Sequence, residues 1–226
     1  MNIIKAQEFQ GKRYENLSPD MLSNERLKVV FDLVKTEKKG RILDVGCLDG
    51  SFTLEFKKEG WNAYGCDISD SIRKAERKGI KCKKFDFEGR FPYPNNFFDG
   101  VIVGDVIEHI FDTENFLNEL HRILKPKGFL VISTPNTASL PNRILLLMGK
   151  KPLNLDYTKG GGHIRAYTME LLEKQLKQKG FKVEERKADL LRLSDKIEVA
   201  PLYFLEKILA KIFPTLSLNL VLKARK

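Results

Sequence analysis

Hydrophobic positions along the chain follow two different periods. Short apolar runs without polar alternation, such as Val101-Ile102-Val103, predict buried β-strands, and apolar residues at every third or fourth position predict amphipathic helices. Strands are predicted at residues 41–45, 62–66, 81–85, 98–104, 129–133, 181–185 and 216–224. Helices are predicted at residues 19–40, 51–58, 69–78, 113–124, 168–179 and 202–213, with Thr168 as N-cap and Gly180 just after the C-terminus of the fifth.

Strands that alternate with helices predict an α/β fold with a mostly parallel, doubly wound sheet and helices on both faces. We expect a single domain over residues 1–226. Within it, residues 1–39 form an N-terminal helical cap, residues 40–135 a nucleotide-binding half and residues 136–226 a substrate half.

Two apolar segments, at residues 136–162 and 193–214, interrupt the alternation of strands and helices. Long excursions from compact domains often serve as lids or binding loops. The helix predicted at 202–213 is flanked by Lys196, Lys207 and Lys211. Such a helix could lie on an anionic membrane, cover a lipophilic substrate or simply cover the edge of the sheet.

Composition narrows the class of protein. The 226 residues are 42% hydrophobic and 31% charged, which excludes a disordered chain. No apolar run is long enough to span a membrane, and three cysteines do not form a disulfide framework, so we expect a reducing cytoplasm. The net charge of +10 lies almost wholly after residue 139. This excess indicates an anionic partner (membrane surface, phosphorylated substrate or nucleic acid) or merely solvated, lysine-rich helices.

A glycine-bearing turn follows the first predicted strand. Gly46 and Gly50 allow a close backbone approach to a ligand at the carboxyl end of that strand. Asp67, about 20 residues after Gly46, is placed to accept hydrogen bonds from both ribose hydroxyls. Leu48 and Ser51 stand where a dinucleotide fingerprint has glycine. The turn therefore predicts a nucleoside site without a strong phosphate cradle.

The ordered motifs resemble the class I S-adenosylmethionine-dependent methyltransferases, particularly the quinone-biosynthesis-like branch that acts on small molecules. The resemblance covers about residues 40–190, and no single motif carries it. Its motifs lie at residues 42–52, 65–68, 85–87, 98–110, 124–128, 132–136 and 163–168. It implies a seven-stranded Rossmann-like sheet, with S-adenosylmethionine as methyl donor and S-adenosylhomocysteine as product.

On the methionine side, the resemblance implies contacts from Gly46, Cys47 and Gly50, which would line this part of the donor. Asp44 would reach the ammonium group directly or through water, and Asp105 would lie near the methionine end.

On the adenosine side, the resemblance implies that Asp67 holds the ribose and Ile68 lies against the adenine ring. Asp86 would accept from the adenine amino group, with Phe87 adjacent. The departure is Leu48, since the family usually has glycine there. We expect its side chain to point away from the donor or the loop to shift.

Asp105, Glu108 and His109 have the i, i+3, i+4 spacing that brings side chains together if a helical turn begins there. They could hold a divalent metal, although we do not favour one, or Glu108 and His109 could serve catalysis without metal or merely pack. His163, after the flexible-looking Gly160–Gly162, is a candidate base for a substrate hydroxyl, or a capping residue. We expect Glu108, His109 and His163 to be the catalytic residues.

The resemblance implies methyl transfer to a small-molecule or lipid-linked acceptor, and we expect an oxygen atom to be methylated. Peripheral contact with an anionic membrane is a further expectation. After the fourth strand there is neither an Asn/Asp-Pro-Pro-Tyr/Phe motif nor a Pro-Cys pair, so nucleic acid is disfavoured as a partner. Two alternatives stay open: an RNA or protein methyltransferase that uses the basic C-terminal surface, and a non-catalytic module that retains the fold.

Overall fold

The computed structural model describes residues 24–153, 155, 163–191 and 200–226, without side chains for 200–204. The strands of the sheet are β1 Arg41–Val45, β2 Asn62–Asp67, β3 Lys81–Lys84, β4 Phe98–Gly104, β5 Leu124–Pro135, β6 Lys182–Ala188 and β7 Asn219–Arg225. The helices are α1 Glu25–Lys35, α2 Ser51–Lys58, α3 Ile72–Arg77, α4 Thr113–Ile123, α5 Leu140–Leu147, α6 Met169–Gln178 and α7 Ala200–Ile212. Short 3₁₀ turns cover Ile107–His109 and Pro214–Leu216.

The seven strands form one sheet in the order β3-β2-β1-β4-β5-β7-β6. All neighbouring pairs are parallel except those of β7, which runs antiparallel to both β5 and β6. The predicted mostly parallel α/β fold is therefore confirmed. Because β1, β2, β4 and β5 point the same way, their carboxyl ends meet at one edge of the sheet, which we call the carboxyl edge.

Both faces of the sheet are covered. Ile42 faces a cluster that includes Val34 of α1 and Phe56 of α2, whereas the next residue, Leu43, faces a second cluster that includes Leu120 of α4. Successive side chains of a strand point to opposite faces, so this division follows from the pleat. The apolar runs of the central strands are explained by burial on both sides.

The ends of several elements differ from their predicted positions. Within the helix predicted at residues 19–40, α1 begins at Glu25, since Asn24 has an extended backbone and its side chain accepts from Leu27 N. Residues 19–23 of that prediction lie outside the described part of the chain. Strand β5 starts at Leu124, immediately after α4, because Leu124 already pairs with Phe98 of β4. The predicted caps of α6 are confirmed: Thr168 Oγ1 accepts from Leu171 N, and Gly180 has a φ of 84°.

The two apolar excursions each contain a helix. Residues 136–153 include α5, which the periodicity did not predict, and α7 begins at Ala200, two residues before the predicted start. The Gly160–Gly162 segment that precedes His163 lies outside the described residues. Among the helices of the described residues, none has both the length and the apolar character that crossing a lipid bilayer requires.

Candidate active site

The loop between β1 and α2 has a left-handed backbone at three positions, Gly46 (φ 79°), Leu48 (φ 48°) and Gly50 (φ 73°). A Cβ atom on Gly46 would lie 2.6 Å from Cγ2 of Val106, so a side chain at position 46 would collide with the loop after β4. Glycine at position 46 therefore allows the first and fourth strands to bring their loops together at the carboxyl edge.

Asp67, at the end of β2, is held by two backbone donors. Leu48 N donates to Oδ2 at 2.8 Å, and Ser69 N donates to Oδ1 at 2.8 Å. Each carboxylate oxygen can accept a further hydrogen bond. The buried Asp67 is thus fixed beside the glycine loop in an orientation suited to a pair of hydroxyl groups.

Leu48 does not displace this loop. It adopts the left-handed conformation that glycine takes most readily, at a cost of about 1–2 kcal/mol. The hydrogen bond from its backbone to Asp67 offsets that cost. The loop therefore keeps its connection to β2 with a leucine in place of the family's glycine.

Asp44, near the end of β1, and Cys47, within this loop, contact different elements. Burial raises the pKa of Asp44 to about 7, although Thr53 Oγ1 donates to its Oδ2 at 2.6 Å. The Sγ atom of Cys47 lies against Gly65 on β2, where a Cβ atom would come within 2.7 Å of it. The thiol of Cys47 therefore packs against β2, and its backbone N–H donates to the carbonyl oxygen of Cys66 at 3.0 Å.

The residues expected near adenine lie beyond the ends of β2 and β3. Ile68 is half-buried directly after Asp67, and the half-buried Asp86 accepts from Glu88 N at 2.9 Å. Phe87 is buried in an aromatic cluster with Phe91. The structure thus places Ile68 and Asp86 at the accessible surface and turns the Phe87 ring into the core.

Asp105 departs from its expected cluster. Its φ is 52°, and the 3₁₀ turn starts two residues later, so the helical spacing with Glu108 and His109 does not apply. Instead Asp105 Oδ2 lies 2.9 Å from Nη2 of Arg26, which also donates from Nη1 to Ser133 Oγ at 2.8 Å. Within the described residues, Asp105 Oδ1 is buried and has no hydrogen-bond partner.

Arg26 is a candidate site residue that the sequence reading missed. It lies in the first turn of α1 and reaches the ends of β4 and β5. A cation in the first turn of a helix interacts unfavourably with the helix dipole. The unfavourable position of Arg26 was therefore the feature of the sequence that could have indicated a role outside the helix.

Glu108 is almost completely buried, with 1% of its surface exposed. Thr134 Oγ1 of β5 donates to its Oε2 at 2.9 Å, whereas Oε1 has no hydrogen-bond partner among the residues described. Burial, and secondly the charge of Asp105, raises the pKa of Glu108 to about 8. An uncharged carboxyl group aimed at the site is therefore the prevailing form at neutral pH.

His163 is brought to Glu108 by its own backbone segment. Ile164 N and Arg165 N both donate to the carbonyl oxygen of Glu108, at 3.0 and 3.1 Å. This places His163 Nε2 3.9 Å from Glu108 Oε1 and the His163 ring 4.9 Å from the ring of His109. The three residues expected to be catalytic therefore converge, although His109 and His163 are 54 positions apart in the sequence.

Glu108, His109 and His163 also have the donor types of a metal site. One ligand atom from each lies within 4.8 Å of the others. The predicted trio contained Asp105 in place of His163; the ion pair of Asp105 with Arg26 explains the difference.

Comparison with known proteins identifies the family. A family model for a methyltransferase domain matches residues 22–186, well over half of the chain. The chain belongs to this methyltransferase family. The expected recognition as an S-adenosylmethionine-dependent methyltransferase is confirmed, and membership implies S-adenosylmethionine as the methyl donor of this methyltransferase.

Curated relatives of the methyltransferase include ubiquinone biosynthesis O-methyltransferases. The mitochondrial protein of Homo sapiens is 28% identical over 156 residues, which cover 64% of this chain and 42% of the relative. The protein of Rickettsia canadensis is 25% identical over 198 residues, which cover 80% of this chain and 84% of the relative. The chain thus spans less than half the length of the mammalian relatives that it matches.

Solved structures agree with the fold of the methyltransferase. An S-adenosylmethionine-dependent methyltransferase from Archaeoglobus fulgidus superposes with a TM-score of 0.64 at 22% identity, covering 95% of this chain and 98% of the other. A methyltransferase from Thermotoga maritima gives 0.67 at 19% identity, with both chains fully covered. These similarities confirm the Rossmann-like architecture.

Proposed function

We propose that this methyltransferase transfers a methyl group from S-adenosylmethionine to a hydroxyl oxygen of a small or lipid-linked acceptor. The observation that carries the proposal is the approach of His163 to Glu108 at the end of β4, directly beside the glycine loop. A base next to a donor site is what a hydroxyl nucleophile requires. The names of the curated relatives, which are O-methyltransferases, agree with it.

The donor fits the residues at the carboxyl edge. Asp67 has free acceptor positions for ribose hydroxyls, and Asp86 lies on the side expected for adenine. The methionine end would carry an ammonium group and a carboxylate. Asp44 and the unpartnered Oδ1 of Asp105 are acceptors for the ammonium group, and Arg26 is the cation for the carboxylate.

The bound donor supplies an electrophilic methyl group on a sulfonium centre, so the protein chiefly orients the reactants and excludes water. We assign removal of the acceptor's proton to Nε2 of His163. Its Nε2 atom lies 3.9 Å from Glu108 Oε1, beside the carboxyl group at the candidate site. Glu108, fixed through Thr134 and uncharged at neutral pH, offers its Oε1 atom as a hydrogen-bond acceptor to the protonated Nε2.

The surroundings of this pair favour an apolar acceptor. Phe111 and Ile164, close in sequence to His109 and His163, are 62% and 52% exposed. Arg165 keeps the two segments together, since its guanidinium donates to the carbonyl oxygens of Ile110 and Phe111. Exposed apolar side chains around a polar site are typical of sites for ligands with a large hydrophobic part.

The test is methyl transfer from isotope-labelled S-adenosylmethionine to a panel of acceptors. The panel contains quinols with and without an isoprenoid tail, glycans, lipids and RNA. Label on a quinol or lipid oxygen supports the proposal. Label on RNA would instead indicate an RNA methyltransferase that uses the basic C-terminal surface. Failure to bind S-adenosylhomocysteine would indicate a non-catalytic module.

A further inference from the structure

Residues 137–153, here called the α5 segment, present their apolar side chains to solvent. Five large apolar residues of the segment are exposed: Ile144, Leu146, Leu147, Met148 and Leu153. Leu147 is exposed over 88% of its surface. Contiguous apolar exposure of this kind marks a surface that binds a partner.

The side chain that anchors α5 is polar. Asn142, the buried residue of this helix, donates to the carbonyl oxygen of Asn136 at 3.1 Å and accepts from Leu153 N at 2.8 Å. A helix that packs on a globular core normally does the reverse, with its apolar stripe inward. The α5 segment is thus attached through hydrogen bonds while its apolar side faces outward.

The charge of the segment identifies the chemistry of its partner. Arg143, Lys150 and Lys151 are exposed, and residues 137–153 contain no aspartate or glutamate. An apolar helix bordered by cations is complementary to an interface with acyl chains below and anionic headgroups above.

A second apolar surface meets the α5 segment at Asn136. The side chain of Asn136 donates to the carbonyl oxygens of Thr215 and Ser217, in the turn that follows α7. Leu205, Ile208 and Ile212 of α7 are exposed along one side of that helix, and Phe213 follows them. The residue that precedes the α5 segment is therefore joined to the turn after α7 at the carboxyl end of β5.

This junction is close to the candidate active site. Thr137 N donates to the carbonyl oxygen of Tyr167, and Thr134, three residues earlier and near the end of β5, donates to Glu108. A surface bound by the α5 segment would consequently lie at the entrance for the acceptor.

We propose that the α5 segment docks this methyltransferase onto an anionic membrane surface. Its apolar side chains enter the boundary between headgroups and acyl chains, and Arg143, Lys150 and Lys151 contact the anionic headgroups. The biological value of docking rests on the proposed function, because it presents a lipid-linked acceptor to His163, but vesicle binding itself needs neither donor nor turnover.

The experiment is co-sedimentation of the full chain with vesicles of phosphatidylcholine alone and of phosphatidylcholine with phosphatidylglycerol in equal parts. We expect binding to the anionic vesicles at low salt, and weaker binding at high salt because the headgroup charge is screened. Leu147→Asp and the double variant Lys150→Glu/Lys151→Glu each reduce the binding by about tenfold or more.

Two control variants change the same residue types elsewhere. Lys182→Glu alters an exposed lysine at the start of β6, at the end of the sheet opposite the carboxyl edge. Leu171→Ser alters an exposed leucine of α6. Both bind vesicles like the unchanged protein. Circular dichroism and binding of S-adenosylhomocysteine confirm that every variant is folded.

Three results overturn the docking proposal. They are absence of binding to the anionic vesicles, binding that the α5 variants leave unchanged, and a dimer without vesicle affinity that Leu147→Asp dissociates. Failure of the proposed function looks different, since vesicle binding would persist while no methyl group reached even a water-soluble quinol.

Discussion

The backbone N–H of Leu48 donates a 2.8 Å hydrogen bond to the Asp67 carboxylate, and this joins the loop after β1 to the end of β2. The leucine holds a left-handed conformation, the backbone region that glycine adopts most readily. The Asp67 carboxylate therefore stabilises the loop and is also the proposed ligand of the ribose.

Asp67→Asn is expected to weaken binding of S-adenosylhomocysteine by about ten- to a hundredfold, because an amide cannot replace the charge-assisted hydrogen bonds of a carboxylate. Isothermal titration calorimetry measures the loss. Asp70→Asn is the control, because Asp70 is exposed and pairs with Lys84. Equal affinities for the two variants would remove Asp67 from the donor site.

Gly46→Ala is expected to abolish donor binding and to lower the free energy of unfolding by about 1–3 kcal/mol, because its Cβ would collide with Val106. Gly60→Ala is a matched control. Gly60 also has a positive φ, of 91°, but a Cβ atom there would meet nothing within 4 Å. We expect it to cost about 1 kcal/mol of stability from backbone strain and to leave donor affinity unchanged. Urea titration and calorimetry separate the two effects.

His163→Ala is expected to lower kcat by a factor of about 100 or more, the usual contribution of a positioned base. Affinity for S-adenosylhomocysteine should not change, since the ring lies beside Glu108 rather than beside Asp67. His121→Ala, on α4 against Phe181, is the control histidine. Unchanged turnover in His163→Ala would show that the residue only positions its loop.

Glu108→Gln is expected to flatten the pH dependence of stability. The pKa of Glu108 is raised from an ordinary 4.5 to about 8, so the folded protein binds its proton more tightly than the unfolded chain. The wild type therefore loses stability as pH rises through that range, and the variant lacks this loss, on the order of a few kcal/mol.

Glu119→Gln is the control for this titration, because ionisation of Glu119 changes the stability of the fold in the opposite direction. Arg122 holds the pKa of Glu119 below its ordinary value. Ionised Glu119 thus stabilises the fold above its ordinary pKa, and the substitution removes stability at neutral pH. Thermal unfolding followed across the pH range distinguishes the two variants. A parallel decline in wild type and Glu108→Gln would contradict the role of burial.

Chelation tests the metal alternative for Glu108, His109 and His163. We expect turnover to survive dialysis against EDTA, because the proposed proton transfer needs only His163 and Glu108. Loss of turnover that added Mg²⁺ or Zn²⁺ restores, together with a parallel loss in His109→Ala, would instead assign these three side chains to a divalent cation.

The sequence predicted the sheet well because buried parallel strands are apolar on both faces and are bounded by glycine. It predicted the positions of Asp67 and Glu108 from the same strands, since Asp67 is the last residue of β2 and Glu108 lies four residues after the end of β4. Contacts between distant segments were harder to predict. The partnership of Arg26 with Asp105 and that of Glu108 with His163 depend on which loops meet at the carboxyl edge, and local patterns do not contain that information.

Local backbone conformation was a second reason why the predicted site differed from the structure. Helical spacing grouped Asp105 with Glu108 and His109, but the left-handed backbone at Asp105 redirects its carboxylate toward Arg26. The apolar segment at residues 136–162 was predicted as a lid or binding loop without a helix, whereas the structure forms α5 within it and exposes most of residues 144–148. Both differences lie at the proposed sites.

The position of β7 has a consequence for biosynthesis. Residues 219–225 lie between β5 and β6 and are the partner of β6 in the sheet. A ribosome completes β6 some thirty residues before β7, so the nascent chain must carry an unmatched strand until translation has passed residue 225. We therefore expect closure of this half of the sheet to be a late and slow event, during which the waiting strand is vulnerable to aggregation.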